Sequence, residues 1–191
     1  VINMGTEIRI AIIGCGAISQ QWHLPILVGH NSFNVVAAVD YSPQIQKDIK
    51  LAYNIPTIIK DYQQLDLTTI DAVVVATPVS LHFPIAQYFL SHGIHVLAEK
   101  PLAFNYEQSS QLVELAKQNN CILAVGLYRR LYSSLALLKD HIQQAEFGAV
   151  QGFEFNWGDF YSWSATSLGN MIKSQAGGGV LMDLGPHALD W

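Results

Sequence analysis

The sequence predicts an α/β protein, a doubly wound parallel sheet followed by a smaller, incomplete α/β portion with antiparallel strands. Apolar runs with no polar alternation recur at 8–13, 35–40, 71–76, 94–98 and 121–125, the pattern of parallel strands buried on both faces. Segments of helical period separate them, so strand and helix alternate. Glycines and polar residues gather where the runs end, at Gly14 and Gly16, Asp40, Thr77-Pro78, Glu99-Lys100 and Gly126. In an open parallel sheet ligands bind outside the carboxyl ends of the strands, so chemistry is expected at these residues.

Bulk properties narrow the function. Half of the 191 residues are hydrophobic and 13% are charged, which describes a well-buried globular chain and excludes disorder. The net charge of -5, without a basic run, argues against a nucleic-acid partner. No apolar run approaches the length of a membrane helix, and the first residues show no export signal. Cys15 and Cys121 do not make a disulfide framework, so a reducing cytoplasm is the expected address.

Ile8 to Ile13 is the first strand, and Gly14-Cys-Gly-Ala-Ile-Ser19 follows it. Gly14 permits the tight turn, Gly16 lets the backbone approach a pyrophosphate, and the helix opening at Ala17 aims its amides at negative charge. Ser19 stands where a third glycine is common. The helix is expected over 17–29, with Trp22, Ile26 and Leu27 in the core and Pro25 kinking or restarting it. A second strand ends on Asp40, 24 residues beyond Gly16, near the spacing at which an acid binds the adenosine ribose hydroxyls. Capping of the helix at Ser42-Pro43 is the other reading of Asp40. An acid here would repel a 2'-phosphate, so NAD is expected ahead of NADP.

A short strand is expected at 55–59 and another at 71–76. Thr77-Pro78 leads into a helix whose Leu81, Ile85 and Phe89 share a face. The strand at 94–98 runs into Glu99-Lys100-Pro101, and Asn105 with Gln108 forms a capping box for the next helix. After the strand at 121–125 the pattern changes. Residues 130–144 read as an amphipathic helix through Leu131, Leu135, Leu138 and Ile142, and 150–157 alternate like a half-exposed strand. Residues 158–176 are expected to loop over the crevice. Domains are accordingly expected at 1–126 and 127–191.

Two groups suggest catalysis. Asp183 and His187 are four apart, so on one helix they would share a face, and the aspartate could fix the histidine tautomer and raise its basicity. A lone histidine in an apolar run is otherwise a structural residue, and Pro186 removes an interior helix bond. Lys100, at a strand's carboxyl end, would approach the nicotinamide ribose and a substrate hydroxyl, with burial lowering its pKa. An ordinary surface pair with Glu99 is the alternative, and Pro101, which could form a cis bond, argues mildly against it.

The set Gly14-Cys-Gly-Ala-Ile-Ser, Ala76-Thr-Pro-Val-Ser-Leu-His82, Glu99-Lys-Pro101, Gly126-Leu-Tyr-Arg-Arg130 and Gly177-Gly-Gly-Val-Leu-Met-Asp-Leu-Gly-Pro-His187 resembles the Gfo/Idh/MocA oxidoreductases, the family of glucose-fructose oxidoreductase and inositol dehydrogenase. The resemblance implies a Rossmann domain, then a largely antiparallel α/β domain. It implies Gly14, Gly16, Ala17, Ile18, Asp40, Thr77, Pro78, His82, Glu99, Lys100 and Arg130 around the cofactor. His82 is expected to pack and cap rather than catalyse. It further implies Lys100, Asp183 and His187 around the reacting carbon: His187 as general base, Lys100 polarising the oxygen, Asp183 orienting histidine and substrate. Leu131 departs from the aromatic common at its position. Family members run considerably longer, so the chain reads as shortened in its second domain.

The function expected is NAD(P)-dependent hydride transfer between nicotinamide and a secondary alcohol of a sugar, inositol or related polyol, in a homo-oligomer. A dinucleotide-binding sensor or regulator without catalysis is the alternative, and a dimer that completes the partial sheet is a third.

Overall fold

The computed structural model describes residues 7–154, 156 and 177–190. Six strands, β1 (Ile8–Ile13), β2 (Phe33–Val39), β3 (Thr57–Ile59), β4 (Ala72–Val75), β5 (His95–Ala98) and β6 (Leu123–Val125), form one sheet in the order β3-β2-β1-β4-β5-β6. Every pairing is parallel. The order reverses direction between β1 and β4, and such a switch point opens a crevice at the strands' carboxyl ends.

The unalternating strands are explained by two cores. Ala11 and Ile13 of β1 join Ala37, Val39, Val73, Val75, Phe89 and Leu112 on one face of the sheet. Ile10 and Ile12 join Val35, Ala38, Val74, Leu24 and Ile49 on the other. Side chains point to opposite faces at successive positions, so both parities must be apolar when helices cover both faces. α3 (His82–Ser91) and α4 (Tyr106–Gln118) cover the first face; α1 (Leu24–Gly29) and α2 (Pro43–Ala52) cover the second. Ser42 caps α2 through Ile45 N–H, and Asn105 caps α4 through the Gln108 N–H at 2.9 Å.

The first helical run departs from its expectation. Residues 17–29 are helical, but Ser19–His23 form a π turn, closed by the Leu24 N–H bond to Ser19 O. Pro25 cannot donate to the residue four back, and its ring crowds that carbonyl. The extra residue in the turn rotates the apolar face. Leu24 and Leu27 are buried, whereas Trp22 and Ile26, expected in the core, are each 57% exposed.

α5 (Ser133–Gln143) follows β6 and presents Leu137, Leu138 and Ile142 to solvent. Leu131, expected on that helix, lies in a 3-10 turn before it and is also exposed. Of the strand expected at 150–157, the described residues 150–154 and 156 are in no strand, and an unpaired extended segment leaves its backbone groups to water. The loop expected at 158–176 lies outside the described residues. α6 (Gly179–Asp183) and α7 (Gly185–Leu189) complete the described chain. No helix among the described residues is long and apolar enough to cross a membrane.

Candidate active site

The glycine loop is held by steric and polar contacts that only its own residues allow. Gly14 has φ +90°, and a Cβ on it would lie 2.7 Å from the Ala76 carbonyl oxygen and 2.9 Å from Thr77 Cγ2. Its N–H donates to Val39 O at 2.8 Å, and its carbonyl accepts from Ser19 Oγ at 2.5 Å. Ser19 is fully buried, so the residue in place of a third glycine ties the helical run back to the turn. A Cβ on Gly16 would meet nothing within 4 Å. That open side lies at the start of the helical run, with Ala17 buried and Ile18 packed on the core beneath.

Asp40 sits against this loop. Its Oδ2 accepts the Cys15 N–H and its Oδ1 the Ser42 N–H, each at 2.9 Å. Asp40 therefore anchors the entry to α2, whose N-cap is Ser42, and braces the glycine loop. Each carboxylate oxygen retains a lone pair able to accept a hydroxyl. The neighbouring Cys15 thiol is pushed up to about 12 by burial, reinforced by the Asp40 charge, so it is no nucleophile at neutral pH.

Across the switch point, Thr77 and Pro78 lead from β4 into α3, and Thr77 Oγ1 is buried without a hydrogen-bond partner among the described residues. Buried hydroxyls are ordinarily paired, and a ligand hydroxyl or phosphate beside Gly14 would satisfy this one. An open glycine, a braced carboxylate and an orphaned hydroxyl on three adjacent strand ends fit a dinucleotide.

Glu99 turns inward. Its Oε1 accepts from His23 Nε2 at 2.8 Å, and its Oε2 accepts the Lys100 N–H at 3.2 Å. Burial acts to raise this carboxyl, but the His23 hydrogen bond and charge, with Lys100, outweigh it and hold it below the ordinary range. Gly126 belongs to the same arrangement, because a Cβ there would lie 3.1 Å from Glu99 Oε1. His23 is a residue that sequence reasoning missed. No spacing rule links it to Glu99, 76 positions away, and only the π turn brings it there.

Lys100, joined to Pro101 by a cis peptide, places Nζ 2.5 Å from Asp183 Oδ1 and 2.8 Å from Asp183 O. Asp183 therefore pairs with the lysine and not with His187. The helix breaks between them: α6 ends at Asp183, α7 begins at Gly185, and Pro186 has no N–H to continue the first helix. His187 is 4% exposed, its Nδ1 has no hydrogen-bond partner among the described residues, and its ring meets Tyr128 edge-on at 5.4 Å. Burial, with Lys100 and Arg129, lowers its pKa against the opposing pull of Glu99 and Asp183. Arg130, expected near cofactor or substrate, is engaged by Asp190, the residue after α7. Among the described residues no group of three or more His, Cys, Asp or Glu could hold a metal ion.

The family's sequence profile, described as "Oxidoreductase family, NAD-binding Rossmann fold", matches residues 8–127. The chain belongs to the Gfo/Idh/MocA oxidoreductase family. Over 190 residues it is 30% identical to the uncharacterized oxidoreductase YdgJ of Escherichia coli, covering 98% of this chain and 53% of that protein. Over 187 residues it is 27% identical to the scyllo-inositol 2-dehydrogenase (NADP(+)) IolU of Bacillus subtilis, covering 95% of this chain and 56% of that protein. The WlbA dehydrogenase of Bordetella pertussis, solved with NADH and UDP-GlcNAcA, superposes with a TM-score of 0.71 at 28% identity over 76% of this chain and 42% of its own. The chain thus spans about half the length of the curated relatives it matches. Members of this family bind NAD or NADP.

Proposed function

We propose that the chain carries the cofactor site and catalytic side chains of an NAD(P)-dependent dehydrogenase that oxidises a secondary alcohol of a sugar, inositol or related polyol. Lys100 held by Asp183, with His187 buried near both and its Nδ1 without a hydrogen-bond partner among the described residues, supports this reading. Bound nicotinamide supplies the acceptor for the carbinol hydride. In this reading His187, held neutral by its lowered pKa, takes the hydroxyl proton. The Lys100 ammonium donates to the same oxygen and stabilises the charge that grows there, while Asp183 holds Lys100 in place. Gly14, Gly16, Ala17 and Ile18 would face the pyrophosphate and Asp40 the ribose, with Thr77, Pro78 and Glu99 along the nicotinamide side. Arg130 in this reading shapes the substrate side through Asp190.

Asp40 favours NAD, because its carboxylate would meet a 2'-phosphate with like charge. We place the domain boundary after Gly126, where the parallel sheet ends. A homo-oligomer belongs to the same proposal, as does a cytoplasmic address, which suits the free thiols of Cys15 and Cys121.

The test is turnover of a panel of sugars and inositols with NAD and with NADP, the folded protein confirmed by circular dichroism. Reduction of NAD by at least one of them is the expected outcome. No binding and no reduction of either dinucleotide by folded protein would overturn the reading.

A further inference from the structure

His82 is the first residue of α3 and is 1% exposed. A buried imidazole needs partners, and both of its nitrogens face backbone carbonyls. Nδ1 lies 2.8 Å from Pro101 O, and Nε2 lies 2.8 Å from Thr77 O. Those carbonyls belong to different turns. Thr77 follows β4 on the side assigned above to the nicotinamide, and Pro101 follows Lys100, which contacts Asp183. β4 and β5 pair as far as Val75 and Ala98, with the Glu99 N–H bond to Val75 O at 2.8 Å beyond them. Past that point the imidazole spans the two turns.

We propose that His82 is a positioning residue: its ring bridges the Thr77-Pro78 and Lys100-Pro101 turns and sets the gap into which nicotinamide and substrate oxygen must fit. The bridge itself stands on geometry alone; its consequence for catalysis rests on the dehydrogenase reading. Misplacing Lys100 by about 1 Å is enough to cost on the order of 10²-fold in rate. The bridge is also sensitive to protonation, since a neutral imidazole has one N–H and only the imidazolium can donate to both carbonyls. Burial lowers the His82 pKa; the two carbonyls and Glu99 act to raise it, and Lys100 acts to lower it. At neutral pH the ring therefore donates to one carbonyl and packs against the other, and only the imidazolium donates to both.

The experiment compares the full chain with His82→Leu, which removes both contacts, and His82→Asn, which keeps a donor only near the Nδ1 position. Amide hydrogen exchange is read at Thr77, Val79, Lys100 and Leu102 against the core strands. In His82→Leu both turns should exchange about tenfold faster with the strands unchanged; in His82→Asn the Thr77 side alone should loosen. The kcat for a turned-over polyol should fall by about 10²-fold, more than NADH affinity falls, and be partly restored in His82→Asn. Unchanged exchange in both turns of a folded variant overturns the proposal, as does equal loss of NADH affinity and kcat. Loosened turns in a protein that turns over no polyol would leave the bridge standing and remove the dehydrogenase reading instead.

Discussion

Lys100 Nζ donates to Asp183 twice, to the carboxylate at 2.5 Å and to the backbone carbonyl at 2.8 Å. The aspartate thus fixes where the ammonium points. Asp183→Asn keeps the shape but removes the charge that holds Lys100, so kcat should fall by about 10²-fold with NADH affinity unchanged. Steady-state kinetics beside calorimetric NADH titration checks this. A kcat within threefold of the parent chain would show that Lys100 is placed without Asp183.

In the proposed mechanism His187 sets the pH limb. A general base must be unprotonated, and its pKa is held below the ordinary 6.5 by burial and by the Lys100 and Arg129 charges. Full kcat/KM for alcohol oxidation is therefore expected at neutral pH, falling only as pH drops below 6.5 through the lowered pKa. Lys100→Met removes one of the charges that depress the ring and should move this limb toward higher pH. His187→Asn should abolish the limb and cost about 10²–10⁴-fold. A pH profile of kcat/KM distinguishes these outcomes.

The two glycines of the loop should respond differently to alanine. At Gly14 the positive φ costs about 1–3 kcal/mol, and the added Cβ would also press on the Ala76 carbonyl. Gly14→Ala should therefore lower the melting temperature of the chain without any dinucleotide. Gly16→Ala, with open space at its Cβ, should melt like the parent chain but bind NADH about tenfold more weakly, because in the proposed site the methyl group would stand where the pyrophosphate approaches.

Most of the scaffold was legible in the residues for one physical reason: a parallel sheet buried on both faces cannot afford polar alternation. The runs ending at Ile13, Asp40, Ala76, Ala98 and Val125 showed it plainly. Local chemistry was legible too, as at Asn105, where cap and partner are three residues apart. What escaped was whatever depends on through-space partners. Asp183 and His187 share a face only on an unbroken helix, and Pro186 breaks it. His23 meets Glu99 only because the π turn before Pro25 rotates it inward, and the same rotation left Trp22 and Ile26 outside the core. Residues 150–154 have a strand's alternation, but a strand needs a neighbour to pair with.

Acid should destabilise the fold in two stages. His82 and His187 have lowered pKa values, mainly through burial, so the folded chain binds fewer protons there than the unfolded one. That contribution is complete above the ordinary histidine value of 6.5 and is lost as pH falls from there through the lowered values. Glu99 and Asp71 are also lowered, against the pull of burial, by hydrogen bonds from His23 and Arg9 respectively. Their contribution is complete above the ordinary carboxyl range and lost below it. The melting temperature should therefore decline below pH 6.5, and more steeply below about pH 4.5. His82→Leu should flatten the first stage.

Transfer of a labelled hydride tests the central claim most directly. The full chain is incubated with NAD and a sugar or inositol deuterated at the carbinol carbon, and the nicotinamide of the product is read by mass spectrometry and NMR. One deuteron at C4 on a single face of the ring is the predicted result, with none in His187→Asn. Folded chain that binds NAD yet transfers no deuterium from any member of the panel would contradict the account.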